Sequence, residues 1–251
     1  MLKVDFRRAF TMPLYYIMVG ASFVMPILIL VMTTMMGDMK TVDPVTGVET
    51  TMETFTNVWQ AIAAASYDSA AGGMSLTGMC NINMLYFLAA VFVCIFIADD
   101  FRSGYAKNLF TVRSKKTDYV ISKLAIGFVG GVSMLLAYFI GAMLGGKIAG
   151  LPFDLGGVGV MNVFACMVSK IFLMSIFVAV YVTVSVAGKQ RLWLSLIGSF
   201  AVGMLFFMMI PMITPLDATA MHVLLTFVGG GLFSAGLGGA SNLILKKTSL
   251  V

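Results

Sequence analysis

Between Arg8 and Asp38 the chain reads AFTMPLYYIMVGASFVMPILILVMTTMMG, Ala9 to Gly37, 29 residues without a charge. A helix needs about 20 apolar residues to cross roughly 30 Å of hydrocarbon, so this stretch is long enough to span a bilayer. Lys3, Arg7 and Arg8 in front of it resemble the basic start of a secretory signal. The apolar run is too long for one, and no A-x-A site follows. It is read as the first membrane helix. The whole chain agrees: 60% of its 251 residues are hydrophobic and only 11% are charged. Soluble domains are about 45–50% apolar with about a quarter of their residues charged, so a soluble globular enzyme is excluded.

Working outward, the charges mark five further gaps. The strongly apolar part of the second runs from Met79 to Ala98, and 23 uncharged residues separate Lys123 from Lys147. The gap between Lys170 and Lys189 is only 18 residues, while Arg191 to Asp217 encloses 25 and His222 to Lys246 encloses 23. The expected fold is all-α: a polytopic membrane protein of one domain, residues 1–251, with six transmembrane helices near 13–37, 79–98, 124–146, 163–187, 192–211 and 223–245. An even number of spans puts 13 of the 16 basic residues on one face and seven of the 11 acidic residues on the other. Lys and Arg are retained on the cytoplasmic side, so both termini are expected there, in the cell membrane. The net charge of +5 then reflects orientation and anionic lipid, and no nucleic acid partner is implied.

Residues 1–12 read as an amphipathic interfacial helix, with Leu2, Phe6, Ala9 and Phe10 on one side and Lys3, Arg7 and Arg8 on the other. Residues 38–78 form the long outer loop. Asp43-Pro44-Val45-Thr46-Gly47 is a turn signal whose flanks suit a small hairpin, and Phe55, Val58, Trp59, Ile62 and Ala63 follow helical spacing suited to the outer membrane surface. Gly127 and Gly131, Gly141 and Gly145, and the glycines of 229–239 are spaced for close helix approach, within the bundle or at a subunit interface. Pro211 and Pro215 break the outer link toward His222. Cys80, Cys94 and Cys166 form no C-x-x-C pair. Cys80 and Cys166 both fall near the outer face, where a disulfide between them is one option, and the odd count leaves at least one thiol free.

Most chemical motifs fail. Gly141 to Lys147 fits G-x-x-x-x-G-K, but Ile148 stands where a phosphate-binding loop needs Ser or Thr, and the context is a membrane helix. The lone His222 cannot supply a zinc-protease pair, and no cluster suggests a metal. No carboxylate falls within the six expected spans, which disfavours a proton relay. Lys170 has two readings. If its helix begins near Lys170, the ammonium snorkels outward, the cheaper arrangement. If the helix begins near Val160, Lys170 is a buried intramembrane charge that needs a partner, and such charges are functional by default.

The informative segment is 99–123, between the second and third helices. It places Phe101, Tyr105, Leu109 and Val112 on one face of a short amphipathic helix, with Arg102, Lys107 and Arg113 beside it. Tyr119 and Lys123 then stand at the mouth of the next span. Asp100, Gly104, Arg113, Ser114, Tyr119 and Lys123 together resemble the coupling segment in the membrane subunits of type-2 ABC exporters, although Val112 occupies the position of the usual Pro. Gly104, Lys107 and Asn108 resemble the branch that exports, or confers immunity to, antimicrobial and amphipathic peptides.

The resemblance implies a permease subunit with no enzyme activity and no cofactor of its own. It implies two copies of a separate ATPase holding ATP and Mg, docked on Asp100, Phe101, Gly104, Tyr105, Lys107, Leu109, Val112, Arg113, Tyr119 and Lys123. It further implies a second permease copy, identical or homologous, and a hydrophobic or amphipathic cargo such as a peptide. The alternative is a channel-like or scaffold protein with no ATPase. The charge asymmetry makes a direct prediction: single cysteines at Thr46 and Ser114, in a cysteine-free background, label with an impermeant thiol reagent from opposite sides of the membrane. Labelling of both from outside contradicts the six-span plan.

Overall fold

The computed structural model describes residues 1–36, 40–42, 49–51, 54–63, 80–112, 116–188 and 191–247. Nine α-helices occur among them: α1 (Leu2–Thr11), α2 (Pro13–Met36), α3 (Met84–Arg102), α4 (Tyr105–Val112), α5 (Lys116–Ala149), α6 (Val160–Gly188), α7 (Leu192–Phe207), α8 (Ile210–Ile213) and α9 (Ala220–Lys247). Two short strands, β1 (Lys40–Val42) and β2 (Glu49–Thr51), pair antiparallel with Thr41 opposite Thr50. This is the hairpin expected on either side of the Asp43–Gly47 turn; the turn itself lies outside the described residues. A 3-10 helix spans Val58–Ala61.

Five of these helices, α2, α3, α5, α6 and α9, are long and apolar enough to cross a membrane. The chain is a multi-pass membrane protein. The expected fifth span, 192–211, is divided. Its first part, α7, has 16 residues and rises about 24 Å, and a turn at Met208–Met209 separates it from the single turn of α8. Pro211 opens α8, and Thr214 leaves helical geometry at φ −129°, ψ 60°. Helices α5 and α6 are longer than expected and begin earlier, at Lys116 and Val160. That shift moves Lys123 from a helix mouth to well inside its helix, and of the two starts open for the helix of Lys170, the one near Val160 holds.

The core lies around α3 and α6. Of the apolar window of α3, 67% is buried, against 17% for α2 and 11% for α9, so the latter two are the outer staves. Apolar residues along α3, among them Ala89, Phe92, Val93, Phe96 and Ile97, are buried against α5, α6 and α7.

Small residues set the closest approaches. A Cβ on Gly145 of α5 would stand 2.8 Å from Ile27 Cα, and one on Gly141 would collide with the Phe23 carbonyl, so α2 packs backbone-to-backbone on α5 beside Pro26. Gly127 and Gly131 likewise admit Val178 and Met174 of α6. Of the two roles open to these glycines, packing within the bundle holds for both pairs. Gly231, Gly236 and Gly239 of α9 face open space instead.

Two amphipathic expectations are corrected. The buried stripe of α1 is Asp5 and Ala9, whereas Leu2 and Phe10 are exposed. The carboxylate turns inward because it has buried partners, described below. The segment around Trp59 is no surface helix: Phe55, Val58, Ala61, Ile62 and Ala63 are all buried. Asn57 Oδ1 accepts from Trp59 N and Gln60 Oε1 accepts from Asn57 N, a reciprocal cap that tightens the turn. Val58 then packs on Gly146, where any side chain would occupy its place. This plug also accepts a hydrogen bond at the Ala61 carbonyl from Ile82 N, at 2.9 Å. All three cysteines are free thiols, so Cys80 and Cys166 are not joined.

Candidate functional site

Four helices meet at the end of the bundle that carries α1 and α4. Asp5 of α1, Asp100 of α3 and Lys123 of α5 are fully or almost fully buried there. Lys123 Nζ is 2.5 Å from Asp100 Oδ2 and 3.4 Å from Asp5 Oδ2. Arg8 Nη1 donates to Asp100 Oδ1 at 2.8 Å, and its other terminal nitrogen lies 3.7 Å from the half-exposed Asp99. Tyr105 Oη and Ser122 Oγ donate to the two Asp5 oxygens at 3.0 and 2.7 Å. The ammonium of Lys123 also lies over the Phe96 ring, 4.2 Å from its centroid, and Arg8 stands over Tyr105 at the same distance. Each buried carboxylate thus faces a cation and each cation faces an aromatic ring, the compensation that buried charge requires.

Local sequence explains the convergence. Asp5 and Arg8 lie three apart on α1 and so share a face. Asp99 and Asp100 end α3, where Ser103 closes the helix by donating from N and Oγ to the Asp99 carbonyl. Gly104 follows at φ 72°, a conformation that costs a side-chain residue strain, and turns the chain sharply into α4. That turn lays the Tyr105 ring under Arg8. Burial and the neighbouring Asp5 push the Tyr105 phenol up from its ordinary range, so it serves as a neutral donor. Burial opposes the Arg8 charge, but Asp100, with help from Asp5, outweighs it and holds the guanidinium above its usual value.

The sequence-expected site residues divide into groups. Asp100, Tyr105 and Lys123 are brought together in the ionic junction. Phe101 and Tyr119 are buried beside it, with ring centroids 6.3 Å apart. Leu109 is half-buried against the core. The apolar side of α4 is therefore turned onto this chain's own helices. Lys107 is exposed, together with Arg102, Ser103, Asn108 and Thr111. Gly104 makes the bend and Val112 ends α4. Arg113 and Ser114 lie outside the described residues. Lys123 is corrected from the mouth of its helix to a buried position seven residues inside it.

Sequence reading passed over Asp5, Arg8, Asp99 and Ser122 as members of one site. A usable signal was Asp5 itself, the only acid among the three basic residues of α1.

Lys170 does not snorkel. It is fully buried ten residues into α6, about 15 Å from the helix start. Its ammonium donates to Asn83 Oδ1 at 2.9 Å and Thr214 Oγ1 at 3.0 Å. His222 Nδ1 accepts from Thr219 N at 3.2 Å, a capping role at the start of α9. Among the described residues no cluster could hold a metal ion. Along the flank of α6, two apolar grooves of about 450 and 610 Å³ open toward α9, divided by the edge-to-face pair Phe172–Phe227. Comparison with family models, curated proteins and solved structures returns no match, so the site's own geometry carries the functional reading.

The junction predicts an asymmetric mutational response. Lys123→Met alone leaves two buried carboxylates sharing Arg8 and costs about 3–5 kcal/mol of stability, whereas adding Asp5→Asn to it recovers part of the loss. Thermal unfolding of the purified variants in one detergent measures both. Equal stability of Lys123→Met and the parent contradicts the assignment.

Proposed function

We propose that this chain is the permease subunit of an ATP-driven exporter, resembling type-2 ABC exporters, that moves a hydrophobic or amphipathic cargo such as a peptide. In this reading α7 and α8 together make the fifth of six spans, and both termini and α4 lie in the cytoplasm. The basic asymmetry of the sequence supports that orientation. ATP and Mg belong to a separate ATPase, present in two copies, and a second permease copy completes the transporter. The chain itself is no enzyme.

The observation that carries the reading is the ionic junction behind α4. A docking element must transmit force, which requires that it be fixed to the membrane helices rather than lie loosely on a surface. Here α4 is anchored through Tyr105 to α1, and its preceding helix end is anchored through Asp100 to α1 and α5. Arg102 at the end of α3 and Lys107, Asn108 and Thr111 of α4 are exposed and can meet a partner. Because Phe101 is buried in the chain's own core, the partner contacts the exposed polar side, with Phe101 acting as support. The apolar grooves beside α9 suit greasy cargo arriving laterally from the bilayer.

The test is isolation of the tagged chain from its native membrane. The expected eluate contains an ATP-hydrolysing subunit, and the chain purified alone hydrolyses no more ATP than a blank. Lys107→Glu with Arg102→Glu should weaken ATPase retention, most clearly at low salt, because exposed charges at an interface act chiefly on association. An eluate without ATPase, or hydrolysis by the isolated chain, overturns the reading.

A further inference from the structure

At the end of the bundle away from the ionic junction, two non-helical pieces meet one cation. Asn83 sits in the turn that leads into α3, next to the plug around Val58. Thr214 sits in the break between α8 and α9. Lys170 lies between them on the unbroken helix α6 and donates to both. Thr214 is held further: its Oγ1 donates to the Ile210 carbonyl at 2.9 Å, and its own carbonyl accepts from Cys166 Sγ at 3.6 Å. On the other side, Tyr86 Oη donates to the Lys170 carbonyl at 3.0 Å. All of these groups are buried.

The chemistry is unbalanced in a way the inner junction is not. There, two cations face three carboxylates. Here a buried ammonium donates to two neutral oxygens. Hydrogen bonds between two ions are roughly twice as strong as neutral ones, so an anionic oxygen reaching Lys170 would displace either partner. Both partners sit at helix ends rather than inside a helix: Asn83 caps the start of α3 and Thr214 the end of α8. Exchange of neutral ligands for an anion would therefore loosen the 80–83 turn and the 208–219 break, which both lie at this end of the bundle.

We propose that Lys170 is a ligand-responsive latch of the transport path: it holds the Asn83 and Thr214 segments shut, and an oxyanion, the carboxylate of an amphipathic cargo or a lipid phosphate, releases them by binding the ammonium. The cargo role rests on the export reading above. The test needs no ATPase, so the two ideas fail separately.

Cys166 is a built-in reporter, because its thiol is buried against the Thr214 carbonyl. With Cys80→Ser and Cys94→Ala, it is the only thiol in the chain. Its labelling rate by a maleimide is measured in nanodiscs of zwitterionic lipid, beside a size-exclusion check of folding. Thr214→Val, nearly the same size, should speed labelling by about tenfold, the effect of losing a hydrogen bond to a charged group. Decanoate should accelerate labelling of the parent and of Thr214→Val, decanol should not, and Lys170→Met should be insensitive to decanoate. Acceleration by anionic phospholipid instead of decanoate supports the latch and identifies a lipid phosphate as its ligand. Unchanged labelling in Thr214→Val, equal effects of decanol and decanoate, or no response to any anion overturns the proposal. Should Lys170→Met fail to fold, Thr214→Val and the anion arms still decide.

Discussion

Lys123 is the residue on which the end of the bundle carrying α1 and α4 depends. Its ammonium is buried between Asp100 and Asp5, and water is not available to replace either carboxylate. Removing a charge from water costs several kcal/mol even after relaxation, and only close opposite charges with further hydrogen bonds offset it. Arg8, Tyr105 and Ser122 supply those bonds, and each comes from a different place in the chain or turns in from a neighbouring helix. α1, the start of α4 after the bend at Gly104, and the first turns of α5 all meet at these few atoms.

The apolar part of the fold obeys a different rule. Within a bilayer, lipid is as apolar as Leu, so helices gain little from hydrophobic burial and associate through close packing. Glycines 127, 131, 141 and 145 permit that packing around α5. Helix α9 packs on α6 by one side and leaves most of its surface apolar and exposed, as a helix facing lipid does. At its end, Lys116 Nζ donates to the Leu245 carbonyl at 2.6 Å, which satisfies one of the free carbonyls of the last turn and ties α9 to α5 near the junction.

Hydropathy and charge spacing made the membrane class, five of the spans and the small-residue contacts readable without coordinates, because each depends on composition over many residues. The junction was harder to read. Asp5 precedes Asp100 and Lys123 by about a hundred residues, and nothing local says that a carboxylate in an amphipathic helix faces inward. The same gap explains Phe101 and Leu109: periodicity identified their shared face and could not say whether this chain or a partner covers it. Lys170 turned on one boundary. Its helix begins at Val160 rather than near the lysine, and helix starts are weakly marked when apolar residues lie on both sides.

The junction joins α1, α4 and the first turns of α5, and on this basis the three move as one rigid body. The most direct measurement is double electron–electron resonance between spin labels at Lys3 and Asn108, both exposed, in the full chain in nanodiscs. The account predicts one narrow distance distribution in the parent and a broad one in Asp5→Asn/Lys123→Met, with the protein still folded. Equally narrow distributions in both would contradict it.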